Sequence, residues 1–202
     1  MKISAVIITK NEASNIERCL NALTGIADEI IVVDAYSQDA TPDICATYPN
    51  VRFHTKSCQG CAASKNYGNN LAGHDYILSV DADEVLSEAL RKELSEIKAE
   101  LKPDKVYVVP RLNHIGNTKI KHSGWYPDKK LRLFPKKSAH WQGDYVHEQL
   151  AFKGKIKPLK SDLLHFTYQC AEHFEEKMLK YAQLRAQQDY VKDKKCLLNL
   201  LS

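Results

Sequence analysis

The chain has 202 residues, of which 44% are hydrophobic and 27% are charged, a composition typical of one globular domain with a sizeable core. Its 29 basic and 25 acidic residues give a formal net charge of +4, which is too small to favour a nucleic-acid partner but suits a small anionic ligand. The apolar start at residues 3–8 is short and runs into polar residues 9–12 without a small-residue cleavage site. It predicts the first strand of a cytoplasmic protein rather than a signal peptide.

The first eighty residues alternate between strand-like and helix-like patterns. Apolar, β-branched runs predict buried strands at residues 3–9, 29–33, 51–54 and 76–80. Helical spacing and helix-start signals predict helices beginning near residues 11–14, 41, 60 and 87. This alternation is typical of an α/β, Rossmann-like fold with a mostly parallel central sheet flanked by helices. The expected strand order is 3-2-1-4, which places the ligand-binding switch point between the first and fourth strands.

Three acidic residues follow the fourth strand, namely Asp81, Asp83 and Glu84. In an extended segment, the side chains of Asp81 and Asp83 project from the same side of the backbone. They could then bind one hard cation and leave coordination positions for phosphate oxygens and water. The alternative is a solvated turn in which an aspartate only caps the helix that begins at Ser87.

Polar residues also end the other predicted strands, so Thr9, Asp34 and Lys56 should face the same crevice as Asp81. No glycine follows the first strand, and no P-loop lysine motif is present. Both absences argue against a dinucleotide cofactor or a glycine-rich phosphate loop. A bound nucleotide would therefore need a metal ion to neutralise its diphosphate.

The second half of the sequence is less regular. Residues 106–110 predict a strand, and residues 130–135 alternate basic with apolar side chains, which predicts a half-exposed strand with a positive face. Aromatic rings, imidazoles and acids are crowded into residues 140–148. A helix is expected from Glu172 to about Val191. Residues 192–201 then pass from lysine-rich to leucine-rich, which suits either an anionic membrane surface or a docking helix for another subunit.

Six cysteines are present, and Cys58 and Cys61 have the spacing of a metal-binding or redox pair. No second pair accompanies them, and a structural zinc site needs four ligands. Cys19 and Cys45 lie on the apolar faces of predicted helices, where cysteine behaves as a small hydrophobic residue. Free thiols are therefore expected.

Four motifs in this order resemble family 2 glycosyltransferases of the GT-A fold. They are Ala-Val-Ile-Ile-Thr-Lys-Asn-Glu at residues 5–12, Glu-Ile-Ile-Val-Val-Asp at 29–34, Ser-Gln-Asp-Ala-Thr at 37–41 and Val-Asp-Ala-Asp-Glu at 80–84. Arg-Leu-Phe at residues 132–134, followed by Trp141 and His147-Glu148, further resembles the WaaE/KdtX-like group of bacterial lipopolysaccharide-core enzymes. The resemblance covers roughly residues 3–190. It implies an inverting transfer of a sugar from a nucleotide sugar, usually a UDP-sugar, to a cell-envelope glycan or glycolipid acceptor.

The resemblance also implies roles for acidic residues. Asp34 would contact the uracil edge, and Asp81 would bind the ribose or, through water, the metal. Asp83 would bind Mg²⁺ or Mn²⁺ directly. His165 resembles a position near the diphosphate that could complete the metal shell, although a lone histidine beside aromatic residues is more often a hydrogen-bonded core residue.

Further nucleotide contacts are implied for Thr9, Asn11 and Glu12 of the first motif, and Lys65 matches a basic position near the nucleotide. One domain over residues 1–202 is expected, with a nucleotide-sugar half at 1–101, an acceptor and catalytic half at 102–170 and a helical segment at 171–202. That last segment is expected to be truncated, because related enzymes continue into a further basic and apolar segment. The resemblance gives no role to Cys58 or Cys61.

A single in-line displacement needs a carboxylate that accepts the proton of the acceptor hydroxyl. Because the early strands supply the metal site, the base is expected in the second half, with Glu148 as the first candidate and Asp144 as the second. The alternative is that His147 and Glu148 form a surface pair beside a tryptophan core.

Two other classes of function share some of these features. A nucleotidyltransferase would use the same sheet and metal-binding acids, but such enzymes usually carry a glycine- and arginine-rich loop after the first strand, and this sequence has none. A non-catalytic nucleotide-sugar or glycan-binding module would have no base near Glu148. The two classes predict different ligand preferences, so binding and hydrolysis measurements separate them.

Overall fold

The computed structural model describes residues 1–57, 60–143 and 148–170, together with residues 172, 174, 175, 178 and 179. Cys58 and Asp144 lie outside the described residues, as do most of the helix predicted from Glu172 and all of the basic and apolar tail. No helix within the described residues combines the length and apolar content needed to cross a bilayer.

The strands and helices follow the predicted alternation through the first half. The α-helices are α1 (Ile16–Leu23), α2 (Thr41–Ala46), α3 (Cys61–Leu71) and α4 (Glu88–Ile97). The strands of the first half are β1 (Ile3–Thr9), β2 (Glu29–Asp34), β3 (Val51–Thr55), β4 (Tyr76–Asp81) and β5 (Glu84–Leu86). Those of the second half are β6 (Lys105–Ile115), β7 (Thr118–Lys119), β8 (Asp128–Pro135), β9 (Ala139–Gln142), β10 (Gln149–Phe152), β11 (Lys155–Pro158) and β12 (Leu163–Tyr168).

The central sheet runs β3-β2-β1-β4-β8-β6-β12-β5, with β7 and β11 paired to β6. Its first four strands are parallel and have the predicted order, which confirms the switch point between β1 and β4. The register places Thr9 beside Asp34 and Ile8 beside Asp81, so the polar strand ends share one edge of the sheet. Beyond β4 the sheet becomes mixed, because β8 joins β4 and β6 in the antiparallel direction. Outside this sheet, β9 and β10 form an antiparallel hairpin.

Helix α3 packs directly on the first two strands. Gly68 makes this approach possible, since a Cβ added there would lie 2.4 Å from Val6 Cγ1 and 3.1 Å from Val33 Cγ2. Such contacts are too short for any larger side chain unless the neighbours move. The helix therefore has little freedom to shift, and its buried face holds Ser64 and Lys65 against the sheet.

A short strand separates the acidic residues from α4. The helix is capped by Ser87, whose Oγ accepts a hydrogen bond from the Leu90 N–H at 3.1 Å, so no aspartate serves as its cap. The intervening strand β5 pairs antiparallel with β12, which places His165 opposite Glu84. This pairing brings a residue from the far end of the described sequence next to the acids that follow β4.

Cys19 and Cys45 are free thiols buried in the core, in agreement with their predicted role. Cys19 lies 1% exposed in the core, and burial raises the pKa of its thiol well above the ordinary value. Burial likewise raises the pKa of Cys45 to about 11. Both behave as small core residues rather than as reactive thiolates.

Candidate active site

The loops that follow β1 and β2 are tied together by hydrogen bonds. The Asn11 N–H donates to Ser37 Oγ at 2.7 Å, and Asn11 Oδ1 accepts from the Gln38 N–H at 2.8 Å. The Glu12 N–H donates to Thr41 Oγ1 at 2.9 Å. Asn11 has a φ of 55°, a left-handed conformation that asparagine tolerates better than most residues. The two loops thus form one rim at the carboxyl edge of the parallel strands.

Asp34 lies inside this rim and is 1% exposed. Its Oδ2 accepts from the Ser37 N–H at 2.8 Å, and its Oδ1 accepts from the Ser37 hydroxyl at 2.5 Å. The carboxylate therefore fixes the turn after β2.

A cavity of about 610 Å³ opens at the strand ends, and we call it the strand-end cavity. Its lining includes Thr9, Glu12, Lys56, Asp81, Asp83, Glu148 and His165. The Thr9 hydroxyl is buried and has no hydrogen-bond partner among the described residues, so it remains available to a ligand. The other predicted nucleotide contacts, Asn11, Asp34 and Lys65, do not line this cavity. Val33 and Ala35, on either side of Asp34, do line it.

Asp81, at the end of β4, is held by two cations. Arg132 Nη2 lies 2.7 Å from its Oδ2, and Lys65 Nζ lies 3.0 Å from its Oδ1. Burial alone would raise the pKa of this carboxyl group, but Arg132 and Lys65 together hold the pKa far below its usual value. Asp81 is therefore a firmly ionised carboxylate at neutral pH.

The prediction that residues 130–135 form a half-exposed strand with a positive face is wrong at Arg132. This side chain is 4% exposed and points into the protein, where Nη2 also lies 2.5 Å from Glu84 Oε1. Burial would lower the pKa of the guanidinium, yet Asp81 and Glu84 raise it further above its ordinary value. The alternating pattern could not predict this burial. A buried arginine needs carboxylate partners, and the partners of Arg132 lie about fifty positions away in the sequence.

Arg132 is one member of a row of alternating charges that we call the ion-pair row. Its neighbouring side chains lie 2.5–3.1 Å apart, and its members, in spatial order, are Lys130, Asp128, Arg111, Glu84, Arg132, Asp81, Lys65 and Glu148. Four cations alternate with four anions, so the formal charges cancel along the row. The row links β8, β6, β5, β4 and α3, and it ends at the predicted base.

Asp83 lies in the turn after β4 and faces His165, with Oδ2 and Nε2 3.3 Å apart. The Nδ2 group of Asn113 donates to the carbonyl oxygen of Trp125 at 3.2 Å, which fixes the orientation of the amide. Asn113 Oδ1 therefore accepts from His165 Nδ1 at 2.6 Å, and Nδ1 carries the proton. His165 Nε2 then either donates to Asp83 as part of an imidazolium or offers its lone pair to a cation shared with Asp83.

This pair of side chains fits a divalent metal ion by its chemistry, since carboxylate oxygen and imidazole nitrogen both bind Mn²⁺ and related cations. Within the described ranges, no group of three or more histidine, cysteine or acidic side chains is assembled as a complete site. Asp83 and His165 are two side chains of suitable chemistry that lie close enough to share one cation. Phosphate oxygens and water can fill the remaining positions.

Glu148 lies between the strand-end cavity and a second cavity of about 580 Å³, which we call the hairpin cavity. The lining of the hairpin cavity includes Lys129, Lys130, Leu131, Trp141, Gln149 and Leu150. Asp81, Arg111 and Glu148 line both cavities, so the two spaces meet at these charged side chains. Glu148 Oε1 accepts from Lys65 Nζ at 2.8 Å. The second candidate base, Asp144, lies outside the described residues.

The structure brings together Thr9, Glu12, Asp81, Asp83, Glu148 and His165 from the predicted set. It also adds Arg111 and Glu84, which the sequence analysis did not assign to the site. The Arg-Leu-Phe motif at residues 132–134 marked one partner of this network, but nothing local to Arg111 distinguishes it from a surface arginine. Only the pairing of β6 with β8 and β12 reveals its partners.

The fold and the site together define an α/β protein of the GT-A type, with an acid-lined cleft at the switch point of its sheet. The chain belongs to glycosyl transferase family 2, whose family model matches residues 4–157. This match confirms the predicted family and fold.

Related sequences and structures agree with this assignment. The chain is 35% identical to an uncharacterized glycosyltransferase of Rickettsia bellii (strain RML369-C) over 178 residues, covering 82% of the chain and 60% of the relative. It is 27% identical to the lipopolysaccharide core biosynthesis glycosyltransferase LpsC of Rhizobium meliloti (strain 1021), covering 93% of the chain and 72% of LpsC. The crystal structure of S. aureus TarS 1–349 in complex with UDP-GlcNAc superposes with a TM-score of 0.59 at 18% identity, covering 83% of this chain and 59% of TarS. At that identity the likeness shows the fold alone.

Proposed function

We propose that this protein is a metal-assisted, inverting glycosyltransferase that moves a sugar from a nucleotide sugar to a cell-envelope acceptor. The observation that carries the proposal is the meeting of two cavities at Asp81, Arg111 and Glu148. One cavity can hold a nucleotide diphosphate, and the other can hold an acceptor, with a carboxylate between them. Such a division suits a displacement in which the acceptor hydroxyl and the departing diphosphate lie on opposite sides of the anomeric carbon.

The donor is proposed to be a UDP-sugar in the strand-end cavity. TarS was crystallised with UDP-GlcNAc and with UDP, and it shares this fold. Thr9, Asn11 and Glu12 on one loop and Asp34 on the other are the proposed contacts to the nucleoside, with Asp81 near the ribose or the metal. Lys65 adjoins this set through its ion pair with Asp81.

The proposed metal ligands are Asp83, Asp81 and His165. A bound Mg²⁺ or Mn²⁺ would neutralise the negative charge that develops on the departing diphosphate. Asp83 and His165 are held for this task by the pairing of β5 with β12 and by the Asn113 side chain, which orients the imidazole.

The reaction is proposed to be a single displacement with Glu148 as the general base. The acceptor hydroxyl oxygen forms a bond to the anomeric carbon while the bond from that carbon to the diphosphate oxygen breaks. Glu148 accepts the hydroxyl proton, so the acceptor leaves with a new glycosidic bond of inverted configuration. Asp144 remains the second candidate for this role.

The acceptor is proposed to be a glycan or glycolipid of the lipopolysaccharide-core type, because LpsC is named for that pathway. A cytoplasmic location, with peripheral contact at the inner membrane, is part of the same proposal, and the lysine- and leucine-rich order of residues 192–201 supports it. Flotation with anionic and with neutral vesicles tests the membrane contact. Equal recovery with both vesicle types would contradict it.

Calorimetric titration with UDP, with and without Mn²⁺, tests the donor and metal assignments. We expect Mn²⁺ to strengthen UDP binding to the wild-type protein and to have no effect on the Asp83→Ala variant, because a methyl group cannot bind a metal ion. Asp43→Ala is the matched control, since Asp43 is an exposed carboxylate on α2.

Two further outcomes separate the alternative classes of function. Tighter binding of UTP than of UDP would favour a nucleotidyltransferase. A glycosyltransferase should hydrolyse UDP-GlcNAc slowly in the presence of Mn²⁺. If the wild-type protein binds UDP-GlcNAc but does not hydrolyse it, a non-catalytic module would be favoured.

A further inference from the structure

Lys65 on α3 joins the two functional parts of the site through one ammonium group. Its Nζ lies 2.8 Å from Glu148 Oε1 and 3.0 Å from Asp81 Oδ1. The two carboxylates belong to residues that are distant in sequence, one at the end of β4 and the other directly before β10. A single cation thus sets the separation between the proposed base and the proposed donor-site acid.

The position of Lys65 is itself tightly constrained. Its side chain is 2% exposed, and its ammonium lies 4.6 Å from the centroid of the Trp141 ring. The next residue, Asn66, donates to the Trp141 carbonyl oxygen at 2.8 Å and accepts from the Trp141 N–H at 2.9 Å. Helix α3 is therefore fixed both to β1 and β2 through Gly68 and to β9 through Asn66.

Lys65 is poorly placed to bind a ligand directly, because it lines neither the strand-end cavity nor the hairpin cavity. Its Nζ donates a hydrogen bond to Glu148 Oε1 and forms an ion pair with Asp81 Oδ1. Among the described residues, Lys65 is the cation paired with Glu148, whereas Asp81 also has Arg132. Within the described part of the chain, loss of Lys65 would thus leave Asp81 paired with Arg132 and Glu148 without a cation.

We propose that Lys65 is a positioning residue that orients Glu148 relative to Asp81 and acts on the transfer step through Glu148. This inference rests on the proposed function, in which Glu148 is the base. It predicts that removal of the ammonium lowers kcat while the affinity for UDP is largely kept. A direct role of Lys65 in nucleotide binding predicts the opposite pattern.

The test uses the full-length protein with Mn²⁺ and UDP-GlcNAc, with water replacing the acceptor hydroxyl. We expect Lys65→Met to lower kcat for hydrolysis about 10²-fold, because a misplaced base reduces the population of reactive geometry. The KM for UDP-GlcNAc and the Kd for UDP should change less than threefold. Lys92→Met, which removes a lysine that is 79% exposed on α4, is the matched control and should keep wild-type kcat.

Chemical rescue separates positioning from structural damage. Lys65→Ala removes three methylene groups and the ammonium, and propylammonium supplies the same atoms. We expect propylammonium to raise kcat of Lys65→Ala at least tenfold, whereas propan-1-ol, which has no charge, should leave it unchanged. Neither compound should change kcat of the Lys65→Ala/Glu148→Gln double variant. That double variant should be no slower than Glu148→Gln alone, because both changes act on one step.

Failure of this inference is distinguishable from failure of the proposed function. One set of results would overturn the positioning role alone. In it, the wild-type protein hydrolyses UDP-GlcNAc, Glu148→Gln is slow, and Lys65→Met is as fast as the wild type. The proposed function would then stand. A loss of UDP affinity at unchanged kcat would also overturn the positioning role, by assigning Lys65 to the donor site. If the wild-type protein has no metal-dependent turnover, the proposed function and this inference fall together. Should Lys65→Met not fold, as shown by circular dichroism, the rescue series with Lys65→Ala decides the outcome.

Discussion

The rim of the strand-end cavity and the ion-pair row meet at one site but are held by different forces. The rim is built from hydrogen bonds within and between two loops, such as Ser37 to Asp34, three positions apart, and Asn11 to Ser37, 26 positions apart. The ion-pair row joins charges from distant parts of the chain, since Asp81 and Arg132 are 51 positions apart and Lys65 and Glu148 are 83 positions apart. The rim is partly exposed, whereas the middle of the ion-pair row, at Arg132 and Glu84, is buried.

This difference has energetic consequences. A hydrogen bond at the rim replaces hydrogen bonds that the unfolded chain makes to water, so its net contribution to stability is about 1 kcal/mol. A buried charge that loses its partner keeps its desolvation cost, and breaking such a pair typically costs about 3–5 kcal/mol. The rim should therefore tolerate single changes, whereas the ion-pair row should respond strongly to the loss of one interior member.

The largest expected effect is on catalysis, at the end of the ion-pair row. Glu148→Gln keeps the size of the side chain but cannot accept a proton, so we expect the transfer rate to fall roughly 10²- to 10⁴-fold. UDP affinity, measured by calorimetry, should be almost unchanged. Asp144→Asn is the comparison variant. An inactive Asp144→Asn beside an active Glu148→Gln would show that Asp144 is the base.

The next largest effect is on stability, at the middle of the row. Arg132→Met leaves two carboxylates, Asp81 and Glu84, with one fewer cation in a buried site. We expect the free energy of unfolding, measured by urea titration, to fall by about 3–5 kcal/mol. Lys130→Met at the exposed end of the row should cost less than about 1 kcal/mol. Equal losses for both variants would show that position along the row does not matter.

A smaller effect is expected at the rim. Asp34→Ala removes the acceptor for both Ser37 donors and the proposed contact to uracil. We expect UDP binding to weaken roughly 10- to 100-fold with or without Mn²⁺, which corresponds to about 1.5–3 kcal/mol for hydrogen bonds to a charged group. An unchanged UDP affinity would limit Asp34 to its role in the turn. A loss seen only with Mn²⁺ would instead place Asp34 near the metal.

The smallest expected effect is a pH dependence that distinguishes wild type from the Arg132→Met variant. The folded state lowers the pKa values of Asp81 and Asp128, so the stability that they contribute is present above the ordinary aspartate pKa and is lost as the pH falls below about 4. In Arg132→Met, the pKa of Asp81 should lie closer to its ordinary value, and less stability should be lost on acidification. Urea titrations between pH 3 and pH 7 measure this, and parallel curves for the two proteins would contradict it.

The fold of the first half could be predicted from the sequence because its signals are local. Apolar runs, helix stripes and the acids at strand ends gave the four parallel strands and their order. The antiparallel return of β8 and the pairing of β5 with β12 lacked such signals, since strand pairing between distant segments leaves little trace in either segment. Arg132 illustrates the consequence, because its alternating neighbours predicted exposure and its partners proved to be Asp81 and Glu84.

The sequence by itself determined the family, the parallel core and the identity of the acids at the switch point, because hydrophobic periodicity and strand-end chemistry act over a few residues. Only the tertiary structure decided how those acids are held. It paired Arg111 with Glu84, and Arg132 with both Glu84 and Asp81. It also hydrogen-bonded Asn113 to His165 and paired Lys65 with both Asp81 and Glu148. The physical reason is that a buried charge is defined by its partners, and those partners are chosen by the packing of distant strands rather than by the neighbouring sequence.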